Sequence, residues 1–382
     1  MDRAKELAFI DEIAVHLVAG ETSRADEPLR VPTEQLLGEQ RVEDEAAVLF
    51  TQFPLVIAPS AAVKNPGDFV VETVADRSVL VVRGPDGSVQ CFANVCRHRG
   101  NQLCVEPSGS ARMFTCGYHA WSYNLDGSCR SMVDPAAFQG LDPTDHGLIE
   151  YPTQERHGFI WVLLDPDGEI DVAASLGAEF DTEIGGYEPH TKHLYRETGS
   201  ELAFNWKLGV NTFQELFHVA YLHKNSIGDL FVGNRSTFDS YAPHQRITVI
   251  RTTFAEMAAG PVEERNLFPH CTIVYLLFPS TLLIWQLDHV ELWQFTPDAA
   301  DRYSSWARLW LLTAEKADTD SAQRHWDRNW DFTIKTVFGE DFPAQEAIQT
   351  NLRSGVLDSV LYGRNEIGLQ DFYTQVSNAL SS

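Results

Sequence analysis

The sequence predicts an α+β protein of more than one domain, with a small all-β domain inserted into a larger domain that mixes helices with an antiparallel sheet. Three observations carry this expectation. At 382 residues the chain is too long for one ordinary core. From about Pro54 to Leu164, short strand-like runs alternate with turn residues. Beyond Leu164, apolar runs of strand character are mixed with helical patterns.

Each element follows from its local pattern. In residues 4–19, Leu7, Ile10, Ile13, Ala14 and Leu17 recur at helical spacing. A polar stretch from Gly20 to about Glu45 follows, where Pro28 and Pro32 are expected to break regular structure. The runs 79–83 (VLVVR), GPDGSVQCFANV and RMFTCGYHAWSYNLDGSC alternate in the strand manner, with turns at Pro85-Asp86-Gly87 and Asp126-Gly127. DPDGEID, after Leu164, reads as a linker. Residues 205–222 (NWKLGVNTFQELFHVAYL) read as a helix. TIVYLLFP, TLLIWQLDH, VELWQFTP and SSWARLWLLT read as successive strands of a meander, with Val274, Leu276, Leu283 and Trp285 as candidates to line an apolar pocket. HWDRNWDFTIKTVF and PAQEAIQTNL read as closing helices. The expected segments are 1–45, helical and packed on the last domain; 46–165, all-β; and 166–382, α+β.

Composition narrows the function. The chain is 44% hydrophobic and 22% charged, without a low-complexity tract or an internal repeat. A net charge of −25 argues against nucleic acid and anionic membranes as partners. No apolar stretch reaches the roughly 18 residues of a membrane span, and Glu6, Asp11 and Glu12 do not fit a signal peptide. Six cysteines do not make a disulfide scaffold. Four of them fall between Cys91 and Cys116, which suits metal chemistry in a reducing compartment, so the cytoplasm is expected.

Cys96-Arg97-His98 and Cys116-Gly117-Tyr118-His119 form Cys-x-His, seventeen residues, then Cys-x-x-His. Each half is compact enough for one turn to aim two side chains at one metal. Two thiolates on one iron and two imidazoles on the other make a Rieske cluster, whose potential lies above that of an all-cysteine cluster. A structural Cys2His2 zinc site is the bland alternative, but common zinc modules pair like residues within each half. CRHRG followed by C-x-YH-x-W-x-Y, up to Gly127, resembles the Rieske domain of bacterial ring-hydroxylating oxygenases. Respiratory Rieske proteins have further cysteines where this chain has Asn101 and Tyr118, so that bracing disulfide cannot form. Cys91, Cys104 and Cys129 read as ordinary half-buried or buried residues.

The chain continues into Glu215-Leu-Phe-His218-Val-Ala-Tyr-Leu-His223. Two histidines and a carboxylate on one face of a metal are the facial triad of non-haem iron(II). Residues five apart on a straight helix diverge by about 140°. The helix is therefore expected to open into a π-type turn between His218 and His223, or to end before His223. NWK-x7-8-E-x-x-H-x4-H is similar to the oxygenase family's segment, which implies His218 and His223 as iron ligands. It also implies that Glu215 bridges a neighbouring subunit's His119 to the catalytic iron. Many relatives read Glu-Asn-Phe where this chain has Asn211-Thr212-Phe213, and no role is given to the asparagine. GEDFPAQEAIQ resembles the family's acidic segment, with Asp341 as third ligand, fixed by backbone N–H groups at a helix start. Asp327 and Asp331 compete for that role.

The resemblance implies an all-β Rieske [2Fe-2S] domain plus a helix-grip antiparallel-sheet catalytic domain, with one [2Fe-2S] cluster and one Fe(II) per subunit. It implies the terminal component of a multicomponent oxygenase that hydroxylates, or oxidatively demethylates, a small hydrophobic, aromatic substrate with O2. No Gly-x-Gly-x-x-Gly follows a strand, so no nicotinamide or flavin site is expected. Electrons come from a separate NAD(P)H-dependent reductase, directly or through a ferredoxin. Arg97, Arg99, Arg112 and Arg130 against Glu106 and Asp126 give the cluster segment a local charge of +2, suited to an acidic donor. The assembly expected is a homo-oligomer, a trimer, with a beta subunit left open. A Rieske electron carrier without oxygenase chemistry and a zinc-stabilised binding protein are the rivals.

Overall fold

The structure, a computed structural model, describes residues 3–298 and 300–381. It divides into two compact units. One comprises Phe50–Ser175 with Glu188–Thr191. The other comprises the chain up to Leu49, Leu176–Tyr187 and the chain from Lys192 onward.

The first unit is all-β, as expected. Five antiparallel strands lie in the order Glu150–Tyr151, Val89–Ala93, Arg77–Arg83, Asp68–Val74, Ser108–Ser110. Thr153–Arg156, Phe159–Val162 and Leu55–Pro59 make a second sheet, and Phe114–Thr115, Ser122–Tyr123 and Cys129–Ser131 a small third one. Its core gathers Phe69, Leu80, Phe92, Phe114, Trp121 and Tyr123 around Cys96 and Cys116. Gly127 turns the hairpin between Ser122–Tyr123 and Cys129–Ser131 at φ +78, and a Cβ there would stand 2.4 Å from the Phe92 ring, so the position suits glycine twice over.

The other unit is built on a seven-stranded antiparallel sheet. Its order is His193–Leu202, Ser305–Thr313, His289–Pro297, Thr281–Trp285, Cys271–Leu277, His244–Arg251, Phe231–Tyr241. Glu291, Trp293 and Phe295 alternate onto one face, where they meet Thr333, Phe338 and Phe342 of the closing helical segment. That segment runs as a helix over Asp320–Thr336, a π turn over Val337–Asp341 and a helix over Phe342–Arg353.

Two expectations are corrected. The stretch after Gly20 is not irregular: Leu29–Pro32 is a strand paired with Ser359–Tyr362, and helices follow over Thr33–Leu37 and Glu39–Val48. Pro32 is tolerated because it ends a strand with one neighbour and leads into a helix, where no ladder N–H is required. Residues 205–222 are not one helix either. The helix covers only Trp206–Asn211, with Asn205 capping it through the Lys207 N–H at 3.1 Å. Trp206 and Lys207 converge on the fully buried carboxylate of Glu45, which also takes the Arg41 guanidinium at 3.0 Å. Asn211 donates to the hydroxyls of Tyr362 and Tyr373, so its role is in packing. No helix among the described residues is long and apolar enough to cross a membrane.

Candidate metal centres

The chain leaves the helix after Asn211 and passes through turns to a single 3-10 turn, His218–Ala220. The ending before His223 removes the angular conflict of two histidines five residues apart on a helix. The π turn arises instead at Val337–Asp341, where the wider spiral carries the Asp341 carboxylate to the histidines. One donor atom from each of His218, His223 and Asp341 lies within 4.8 Å of the others. Asp341 Oδ1 is 3.0 Å from Nε2 of His223 and 3.5 Å from Nε2 of His218. His223 and Asp341 are buried, and His218 is half-buried. Asp341 makes no side-chain cap bond, so the expected fixing by backbone N–H groups is replaced by the two imidazoles.

Each histidine is held from behind by a second carboxylate. His218 Nδ1 meets Glu215 Oε1, and the other Glu215 oxygen accepts the backbone N–H groups of Phe217 and His218. His223 Nδ1 meets Glu340 Oε2 at 2.8 Å, and Ser226 Oγ donates to the same oxygen at 2.9 Å. Glu340 escapes a reading of the sequence because a lone acid beside another carries no spacing signal. The competitors are engaged elsewhere or turned outward: Asp327 binds Tyr195 and Arg196, and Asp331 is exposed.

A cavity of about 300 Å³ opens on the triad. Leu216, Val249, Val274 and Ile284 supply apolar wall, and Arg251, Asp288, His289 and Glu291 supply polar wall. Of the four pocket candidates only Val274 belongs to it. Strand alternation turns Leu283 and Trp285 to the opposite face, where Trp285 packs on Tyr187 at 4.9 Å between ring centres. Leu276 has the parity of Val274 but lies farther along the strand, outside the cavity.

In the all-β unit, two loops share one construction. The Cys96 N–H donates to Asn101 O and the Cys116 N–H to Trp121 O, each at 2.8 Å, and the residue four beyond each cysteine donates back to it. That fourth residue has positive φ in both loops, Gly100 at +75 and Ala120 at +57. The imidazoles of His98 and His119 are 4.6 Å apart between centres. His98 stacks on Trp121, yet its buried Nδ1 has no protein partner, as a metal ligand atom requires. Burial opposes ionisation of Cys116, but the N–H groups of Tyr118 and His119, with Cys96 and Asn101, bring its thiol below the ordinary value. The Tyr123 hydroxyl lies 3.4 Å from Cys96 Sγ and accepts the Arg97 N–H. All six cysteines are free of disulfides, including Cys104 beside the cluster loops.

A family model for the ring hydroxylating alpha subunit (catalytic domain) matches residues 186–382, more than half of the chain. The chain belongs to this family. In this ring-hydroxylating alpha subunit a Rieske [2Fe-2S] domain model also matches residues 53–145, over the paired loops. The donor sets fit both groups, so the chain carries a Rieske [2Fe-2S] domain and a mononuclear iron triad.

Among its relatives, the large oxygenase component of the naphthalene 1,2-dioxygenase system of Pseudomonas aeruginosa is 31% identical over 53% of this chain and 46% of its own length. Biphenyl 2,3-dioxygenase subunit alpha of Rhodococcus jostii is 28% identical over 55% of this chain and 45% of its own. The matches thus span about half the length of these relatives. In fold, the alpha subunit is similar to the quaternary ammonium Rieske monooxygenase CntA in complex with L-carnitine, with a TM-score of 0.78, 20% identity, and 92% and 95% of the two chains covered. It is likewise similar to naphthalene 1,2-dioxygenase from Rhodococcus sp., with a TM-score of 0.75, 16% identity and 98% of each chain covered.

Proposed function

We propose that this protein is the terminal oxygenase component of a multicomponent Rieske non-haem iron system, acting on a small hydrophobic, aromatic substrate. The observation that carries the reading is the triad facing a cavity: two imidazoles and one carboxylate on one side, with space for a small organic molecule on the other. Cys96, His98, Cys116 and His119 hold the cluster, and His218, His223 and Asp341 hold the mononuclear iron. Iron held by these three residues would supply the redox chemistry that activates O2 toward the substrate.

The protein's own part is orientation and binding. Glu215 and Glu340 accept the Nδ1 protons of the two histidines, which leaves each Nε2 as the lone-pair donor. Val249, Val274 and Ile284 give the cavity an apolar face for the substrate body. A pure electron carrier, the alternative, would need neither triad nor cavity.

Electrons come from an NAD(P)H-dependent reductase, directly or through a ferredoxin, and the exposed Arg97, Arg99, Arg112 and Arg130 suit an acidic donor. The working assembly is a homo-oligomer, a trimer, in which Glu215 meets His119 of a neighbour. Exposed Phe217 and Tyr221 beside Glu215 support a covered face there. The proposed compartment is the cytoplasm.

Metal analysis tests the reading. Purified anaerobically, the oxygenase should hold about three irons and two acid-labile sulfides per chain, against two irons for a carrier. With a generic reductase it should consume O2 in the presence of a substrate from a hydrophobic panel. Zinc in place of iron, or two irons only, would overturn it.

A further inference from the structure

The charges in the cavity wall do not balance in the way the rest of the site does. Each carboxylate there has a partner. Glu215 faces His218, Asp341 faces both ligand histidines, Asp288 meets His289 at 2.8 Å and His325 at 2.7 Å, and Glu291 takes Trp293 at 2.9 Å and Thr333 at 2.8 Å. Arg251 is different. Its Nη2 donates to Thr272 Oγ1 at 3.0 Å and to Gln286 Oε1 at 2.9 Å, its Nε points at Cys271 O at 3.4 Å, and its guanidinium sits 5.3 Å from the centre of the Phe231 ring. Asp288 acts on it only from a distance: no carboxylate among the described residues lies within ion-pair reach, and Nη1 has no protein acceptor among them.

The strand register shows how this group is presented. Val249 and Arg251 fall on one face of their strand, Thr272 and Val274 on the same face of the next, Ile284 and Gln286 on the one after. The register sets Val249 opposite Thr272 and Val274 opposite Ile284, so on this face the apolar Val249, Val274 and Ile284 run diagonally beside the polar Arg251, Thr272 and Gln286. Nη2 spends both of its hydrogens on Thr272 and Gln286, and Nη1 keeps its two for a ligand. Burial pulls the Arg251 pKa below its ordinary value, though a guanidinium keeps its charge at any working pH. A half-buried cation whose Nη1 hydrogens are unused is costly unless something anionic completes it.

We propose that Arg251 is the substrate-recognition group of this cavity and that the substrate carries a carboxylate, bound at Nη1, on an apolar body lying against Val249, Val274 and Ile284. This rests on the oxygenase reading above and adds the class of substrate. One charged Nη1 with two unused N–H groups matches one carboxylate through charge-assisted hydrogen bonds. A phosphate would bring up to two negative charges to a single unpaired cation. On a chain of net charge −25, an anionic substrate needs such a local cation to be held at all.

The test is calorimetric binding to the holoenzyme of benzoate, 3-phenylpropionate and 2-naphthoate, each beside its carboxamide. The wild type should prefer at least one acid to its amide by about tenfold or more. Arg251→Gln should abolish that preference while leaving amide binding and melting temperature near wild type, and Arg251→Lys should keep part of it. A preference that survives Arg251→Gln, or a wild type that binds the amides as well as the acids or binds none of the acids, would overturn the inference. Calorimetry reads binding whether or not iron is present. A chain that bound acids through Arg251 yet held no mononuclear iron would defeat the oxygenase reading alone.

Discussion

His223 turns its Nδ1 to Glu340 Oε2 at 2.8 Å, across a gap of more than a hundred residues in sequence. The next residue after Glu340 is Asp341, whose Oδ1 meets Nε2 of the same ring at 3.0 Å. Two consecutive carboxylates therefore hold the two nitrogens of one imidazole. Glu340 fixes the tautomer and the tilt, and Asp341 shares the metal with it.

Replacing Glu340 by Ala should weaken mononuclear iron binding by about tenfold to a hundredfold, the usual effect of losing a carboxylate behind a metal-bound histidine. Glu340→Gln should weaken it less, because the amide oxygen still accepts from Nδ1. Competition with a calibrated chelator measures both. Equal iron affinity in Glu340→Ala and wild type would show that the ring needs no such anchor.

Asp341→Ala should lose mononuclear iron and substrate oxidation while the visible and paramagnetic signature of the Rieske cluster stays intact. The triad and the cluster loops belong to different compact units, so one can fail alone. If the iron persists in Asp341→Ala and disappears in Asp327→Ala or Asp331→Ala, the ligand has been misassigned.

For Glu215→Gln the expectation concerns rate rather than content. Both metal centres and the assembly should remain, while electron delivery to the mononuclear iron in a single turnover slows by about tenfold or more, within the usual worth of a positioned hydrogen-bonding group. Single-turnover traces matching wild type, or full activity from a monomer in sedimentation, would rule out its bridging role.

His289 carries a pH dependence. Burial opposes its protonation, but Asp288 and Glu291 outweigh that and raise its pKa from 6.5 to about 9. Asp288 in turn faces His325, and Glu291 faces Trp293 and Thr333. The folded pKa is above the unfolded one, so the contribution is complete below about pH 6.5 and is lost as pH rises through about 9. Its full size is on the order of 3 kcal/mol. Denaturant unfolding at pH 6.5 and pH 9 should show a larger loss for wild type than for His289→Gln. Identical losses in the two proteins would remove His289 as the cause.

What could be read in the sequence was mostly what is local in it. Cys96, His98, Cys116 and His119 stand close together in pairs, and so do His218 and His223; in each case a turn or two brings the donors into proximity. Asp341 was reachable only by resemblance, because nothing near it in sequence is its partner. The meander strands from Cys271 to Thr313 announced themselves by continuous apolar runs. His193–Leu202, reading HLYRETGSEL and largely half-exposed, did not. The same apolar continuity hid which face of Thr281–Trp285 looks into the cavity, since a strand with both faces buried has no alternation to read. Of the two ways out of the steric conflict between His218 and His223, the helix takes the earlier ending, and the π turn at Val337–Asp341 belongs to a segment whose sequence carries no such conflict.

The pairing of Leu29–Pro32 with Ser359–Tyr362 has a consequence for how the protein is made. Ribosomes add about 5–20 residues per second, and domains fold as they emerge. The all-β unit is essentially complete once Ser175 has been synthesised, apart from the short return at Glu188–Thr191. The segment before it must wait: Glu45 has no Lys207 to hold, and Leu29–Pro32 has no partner until the chain passes Tyr362. For a span on the order of tens of seconds, the nascent chain holds a finished cluster-binding unit beside an unpaired strand and a buried-to-be carboxylate still in water. Cluster loading can therefore precede closure of the catalytic sheet.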